Sequence, residues 1–101
     1  MRIATVNVNG IRAAARKGIS EWLKASAPDV LVLQEVRADE RTASGLLPGY
    51  RCEVWPCRIR GRAGVAVAVR EDSGVIMGRV RRGVAAPDAV EPDVDSGRWL
   101  E

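Results

Sequence analysis

The 101-residue chain contains no histidine, which removes the commonest general base near neutral pH and every nucleophile that would depend on it. A Ser-His-Asp or Cys-His site cannot be assembled from these residues. Cysteine is nearly as scarce: Cys52 and Cys57 are the only thiols, and without histidine they cannot complete a tetrahedral zinc site. Five positions apart in an extended run, they face opposite sides of a strand, so reduced, partly buried thiols are expected rather than a disulfide. Phenylalanine is absent and aromatic residues make up 4% of the chain, so the core must be packed from Val, Ala, Leu and Ile. That composition favours strands with small-residue packing. No apolar run approaches membrane-spanning length, and no basic-then-apolar leader opens the sequence. A cytoplasmic protein without membrane contact is the expectation.

Lysine is rare as well, with only Lys17 and Lys24 against fourteen arginines, and the chain is mildly basic at a net charge of +3. Arginine forks suit phosphate oxygens, so a nucleic-acid partner accounts for this balance, as does a simple compositional bias toward arginine. Hydrophobic residues make up 47% and charged residues 29%, an ordinary soluble balance, and the length allows one small domain with a modest core.

Residues 2–8 carry β-branched Ile3, Thr5, Val6 and Val8 and predict a strand buried on both faces and central in its sheet. From Arg12 to Ser26 the spacing turns helical, with Ile19, Trp22 and Leu23 on one face, and Pro28 ends the helix. Residues 29–35 then predict a second strand. Strand, helix and strand of these lengths form a βαβ unit, whose right-handed crossover sets the two strands parallel with their carboxyl ends adjacent. A loop with a helical turn near 39–46, a strand over 50–56, a basic loop over 58–64 and a strand over 65–70 follow. A hairpin partner over 75–81, a mobile loop over 83–95 and the start of a strand over 96–101 complete the expectation.

The chemistry converges on the carboxyl edge of the βαβ unit, where parallel sheets hold ligands. In an extended segment Asn7 and Asn9 point the same way, Gly10 lets the chain bend, and Glu35 ends the neighbouring strand. One carboxylate with amide oxygens and a substrate phosphate is a reasonable shell for Mg2+, which keeps several waters. Polar residues ending a buried strand explain the same pattern more plainly. Arg58 to Arg62, with Gly61 and Gly64 permitting close approach of backbone amides, could grip a phosphate backbone or form a solvated loop.

Four blocks in order, Asn7-Val8-Asn9-Gly10-Ile11-Arg12, Pro28-Asp29-Val30 with Leu33-Gln34-Glu35, Gly61-Arg62-Ala63-Gly64-Val65-Ala66-Val67, and Ser96-Gly97-Arg98, carry a further signal. Together they resemble the amino-terminal part of the exonuclease III and apurinic/apyrimidinic endonuclease family. The resemblance implies an α/β fold: the first-sheet portion of a four-layer α/β/β/α sandwich, with residues 1–101 an incomplete domain. It implies a Mg2+-dependent phosphodiesterase of base-excision repair, with Mn2+ as an alternative ion, acting on double-stranded DNA at abasic sites or 3′ ends. By the same carry-over Glu35 and Asn9 lie on the metal side, Asn7 organises the catalytic centre, and Arg12, Arg16, Lys17, Arg62 and Gly64 meet DNA. The family's later catalytic blocks fall outside these residues, so the chain alone is expected to be inactive. It is also expected to self-associate through an uncovered apolar sheet face. A non-catalytic DNA-binding or interaction module and a phosphoesterase with a non-DNA substrate are the alternatives.

Overall fold

A computed structural model describes residues 1–83 and 91–101. Its frame is a mixed four-stranded sheet built from β1 (Ile3–Asn7), β2 (Val30–Gln34), β3 (Tyr50–Trp55) and β4 (Val65–Arg70), in the order β1-β2-β4-β3. The expected α/β class and βαβ start are both present: β1 and β2 run parallel, from Ile3 opposite Val30 to Asn7 opposite Gln34. Both other pairings, β2 with β4 and β4 with β3, are antiparallel.

Period-two alternation explains which face is buried. Leu31 and Leu33 of β2, Ala66 and Ala68 of β4, and Cys52 and Val54 of β3 share one face and are nearly inaccessible to solvent. Ile11, Ile19, Leu23, Val36, Ala43 and Leu47 complete this core from the helical side. Small alanines on β4 sit opposite the larger leucines of β2, which lets the helices approach the sheet closely. The other face carries Val30, Val32 and Val67 in a half-buried band, with Ile3 exposed at its edge.

Several expectations are corrected. β1 lies at the sheet edge, with Ile3, Thr5 and Asn7 exposed, because only β2 pairs with it among the described residues. The helix expected over 12–26 is two helices, α1 (Ile11–Arg16) and α2 (Ile19–Ser26). Gly18 takes a left-handed φ of 96° between them, and Lys17 caps α1. Ile19 and Leu23 are buried as expected, whereas Trp22 is 40% exposed. No strand forms over 75–81, since both edges of β4 are already hydrogen-bonded to β2 and β3. Just beyond that segment, Arg82 reaches Glu53 of β3 at 2.6 Å.

The third helix, α3 (Glu40–Gly45), starts where the Asp39 side chain accepts the Thr42 N–H at 2.8 Å. Of the loop expected over 83–95, residues 84–90 lie outside the described residues. Asp93–Asp95 form a 3-10 turn, pinned by Arg58, whose Nη1 donates to the Glu91 carbonyl at 2.6 Å. Residues 96–101 contribute a single bridge, Leu100 to Arg82, rather than a strand. Both cysteines are free and buried, as the sequence leads one to expect.

Candidate functional site

The carboxyl ends of β1 and β2 lie side by side, so the chain leaves both strands at one edge of the sheet. After Asn7 the ladder extends one step, with the Val8 N–H donating to the Gln34 carbonyl at 3.0 Å. Asn9 then turns left-handed at φ 46°, and its N–H donates to the Asn7 side-chain oxygen at 3.0 Å. The two asparagines are therefore joined as a side-chain turn, and the shared strand face expected for them is corrected. Asn tolerates this conformation because its short amide bonds locally to the backbone.

Glu35 leaves β2 in the same manner, at φ 52°, and Arg37 follows at φ 54°. Between them Val36 is fully buried and anchors the segment in the core. Backbone hydrogen bonds stitch four separated stretches together here. Gly10 N–H donates to the Glu35 carbonyl at 2.7 Å, Val36 N–H to Gly64 at 2.9 Å, Arg37 N–H to Ala63 at 2.7 Å and Gly64 N–H to Gly97 at 3.0 Å. Ala63 is also left-handed, at φ 45°. Asn9, Glu35, Arg37 and Ala63 thus hold four of the five positive-φ non-glycine positions described, and all four gather at this edge. Each such residue costs on the order of 1–3 kcal/mol and persists because its surroundings over-determine it. The result is a rigid rim.

The rim positions a charged cleft. The Glu35 carboxylate meets the Arg37 guanidinium at 3.0 Å, with the two side chains 40% and 44% exposed. Hydrogen bonding from Arg37 first, and from the Asn7 amide second, holds the Glu35 carboxyl below the usual carboxylate range. Glu35, Arg37, Arg62 and Arg98 line a cleft of about 440 Å3. A second cavity of about 440 Å3 adjoins it, lined by Arg12, Arg37, Arg58, Arg60, Arg62 and Asp39. Arg37 and Arg62 belong to both. A larger cavity, about 560 Å3, lies at the far end of the sheet beside Tyr50 and Arg70. Its arginine is already paired with Asp29 and Asp72, and the Tyr50 hydroxyl donates to the Pro28 carbonyl at 2.7 Å.

A model of the Endonuclease/Exonuclease/phosphatase family matches residues 4–93. The chain belongs to that family. Its structure is similar to the AP endonuclease of Leishmania major, with 31% identity and a TM-score of 0.72 over 98% of this chain and 34% of that one. An AP endonuclease from Archaeoglobus fulgidus matches at 32% identity and a TM-score of 0.65, over 86% of this chain and 32% of its own. The 3′ phosphatase of Neisseria, solved with a product DNA hairpin, matches at 30% identity and 0.62, over 88% of this chain and 34% of its own. The chain therefore spans about a third of the length of the structures it resembles.

Within this member of the Endonuclease/Exonuclease/phosphatase family, the residues singled out from the sequence fall into four groups. Asn7, Asn9 and Glu35 come together at the rim, and Arg12 and Arg62 line the arginine cavity. Arg16 and Lys17 are exposed at the carboxyl end of α1 and line neither cavity. Gly64 is buried beside Arg37, with its N–H donated to the Gly97 carbonyl. Sequence reasoning missed Arg37, whose signal was a cation two residues beyond the carboxylate that ends a parallel strand. It also missed the close packing of Gly97 on Pro56 and Cys57.

The donor set at the rim is hard: one exposed carboxylate and the neighbouring amides. Among the described residues no cluster of three or more His, Cys, Asp or Glu could hold an ion. These residues fit a magnesium-like cation that keeps most of its waters or shares substrate oxygens, and they do not fit a site closed by protein ligands alone.

Proposed function

We propose that the chain carries the carboxylate and phosphate-gripping side of a Mg2+-dependent DNA phosphodiesterase site of base-excision repair, of the AP endonuclease or exodeoxyribonuclease III kind. The observation that carries this reading is the Glu35 carboxylate at a strained rim, in a cleft that shares Arg37 and Arg62 with an arginine-lined cavity. The likeness to AP endonucleases supports DNA as substrate, and the likeness to a 3′ phosphatase supports action at 3′ ends.

Glu35 and the amide of Asn9 would hold the ion, and Asn7 would orient the Glu35 carboxylate through its own amide. A bound Mg2+ would supply Lewis-acid polarisation of a phosphoryl oxygen. Arg62 and Arg12 would place the strand by its phosphates, with Arg16 and Lys17 farther along the backbone. Glu35 is ionised at neutral pH like any exposed carboxylate, and hydrogen bonds from Arg37 and Asn7 favour its charged form further. Among the described residues no other side chain lining the cleft is equipped to take a proton from water. The chain has no histidine, its one tyrosine is committed to Pro28, and the Asp39 carboxylate caps α3. Residues 1–101 accordingly act as one part of a larger catalytic domain, and by themselves they bind duplex DNA without cutting it.

Duplex DNA containing an abasic site, offered with Mg2+ over a salt series, tests both statements. We expect salt-sensitive binding and no incision, with Arg12→Ala and Arg62→Ala each lowering the slope of log affinity against log salt by about 1. Incision that disappears in Glu35→Ala would show the chain to be catalytically sufficient. Salt-independent binding would remove the phosphate reading.

A further inference from the structure

The two adjoining cavities share Arg37, and the electrostatics around it are unbalanced. On one side it pairs with Glu35 at 3.0 Å. On the other stand Arg12, Arg58, Arg60 and Arg62. Among the described residues Arg12, Arg60 and Arg62 make no ion pair, and Arg58 reaches Asp93 at 3.3 Å. Asp39, the one carboxylate lining the arginine cavity, accepts the Thr42 N–H and offsets part of the charge of Arg12 and Arg60. Four other arginines against one carboxylate leave that cavity net positive, which favours Arg37 on the Glu35 side.

We propose that Arg37 is a two-position residue that couples the cavities: it holds Glu35 while no cation is bound there, and turns into the arginine cavity to grip a nucleic-acid phosphate when a divalent cation takes the carboxylate. This rests on the reading of Glu35 as a cation ligand.

Three observations carry it. The Arg37 backbone is fixed, with φ at 54° and its N–H donated to Ala63, so only side-chain torsions need change. The side chain is 44% exposed, which leaves it room to turn. Arg37 also lines both cavities, so both destinations lie within its reach. A guanidinium and a divalent cation compete for the same Glu35 oxygens, whereas a phosphate in the arginine cavity rewards the guanidinium for leaving. By linkage, cation and phosphate each strengthen the binding of the other by the same factor. Arg37 is a positioning residue in this scheme, acting through Glu35 and the bound strand.

The full chain can be tested without any turnover. Mn2+ binding, followed by the electron-paramagnetic signal of the free ion, should be roughly fivefold tighter in Arg37→Gln than in the native chain, in keeping with the strength of an exposed ion pair. Arg37→Lys, which keeps the charge, should bind Mn2+ as the native chain does. In the reciprocal measurement, a fluorescent duplex is titrated with and without Mg2+ at matched ionic strength. Mg2+ should tighten its binding to the native chain by roughly the same fivefold and leave Arg37→Gln unaffected. Equal Mn2+ affinities in the native chain and Arg37→Gln, both abolished by Glu35→Gln, would overturn the proposal and leave the cation reading standing. Absence of Mn2+ binding in both would overturn the two together.

Discussion

Replacing Gly97 by alanine should damage this protein more than any surface substitution, and the reason is geometric. A Cβ built on Gly97 would lie 2.7 Å from the Cys57 Cα and 2.7 Å from the Pro56 carbonyl carbon, with the Cys57 nitrogen closer still. Carbon atoms pack comfortably at about 3.5–4.0 Å, so the overlap is about 1 Å, and it is with backbone that cannot rotate away. Gly97 also has φ 72°, where an L-residue costs about 1–2 kcal/mol before any clash. Relief requires the 96–97 segment to lift. That breaks the Gly64 N–H bond to the Gly97 carbonyl at 3.0 Å and the Arg58 N–H bond to the buried Ser96 hydroxyl at 2.7 Å, each worth about 1 kcal/mol net. The expected loss is about 3–5 kcal/mol, a large share of the roughly 5–15 kcal/mol available to a small domain. Gly74→Ala is the control, since Gly74 has φ 77° and nothing within 4 Å of its would-be Cβ. It should lose only about 1 kcal/mol. Urea unfolding read by circular dichroism compares them, and the Gly97→Ala midpoint should fall at least about 1 M further than the control. Equal midpoints would refute the claim that backbone proximity, rather than left-handed strain, selects glycine at 97.

Acid should weaken the fold through carboxylates held in their charged form. Asp29, bonded by the Arg2 N–H and then paired with Arg70, has its pKa lowered, as do Glu35 beside Arg37 and Asp39 at the Thr42 N–H. Groups with depressed folded pKa values contribute stability that is present above the ordinary carboxylate range and lost as pH falls through the folded values. Tm should therefore drop between about pH 5 and about pH 3, and Asp29→Asn should flatten that slope. An unchanged slope would assign the acid sensitivity elsewhere. Burial pushes the Cys52 thiol up to about 11, with Glu40 and Glu53 adding to the effect. In a Cys57→Ser background, Cys52 should resist a thiol reagent near neutral pH and react promptly once urea unfolds the chain. Equal rates in the two states would show that Cys52 is not shielded.

Much of this fold is legible from local pattern. β1, β2 and β4 declare themselves through β-branched runs and small–large alternation, Pro28 ends α2, and the βαβ crossover brings Glu35 beside Asn7 without any long-range information. Breaks in local pattern were harder to read. Gly18 divides the helix because its left-handed turn halts one cylinder and starts another, a choice that glycine permits without dictating.

The failed hairpin over 75–81 is a question of available edges. Turn chemistry at 71–74 predicts a partner for β4, but β4 had already given one edge to β2 and the other to β3, and neither pairing is visible from within the hairpin. The same holds at the site. Residues alone determined that the acidic end of one strand would meet the amide-bearing end of its neighbour, since a right-handed crossover follows from backbone sterics. Only the tertiary structure decided that Asn9 would turn left-handed onto Asn7, that Gly64 would spend its N–H on Gly97, and that Arg37 would stand between the carboxylate and the arginines. The Gly64 bond to Gly97 joins stretches far apart in sequence, and the Asn7–Asn9 and Glu35–Arg37 contacts, though local, need the left-handed backbone that the loops impose as they close around the finished sheet.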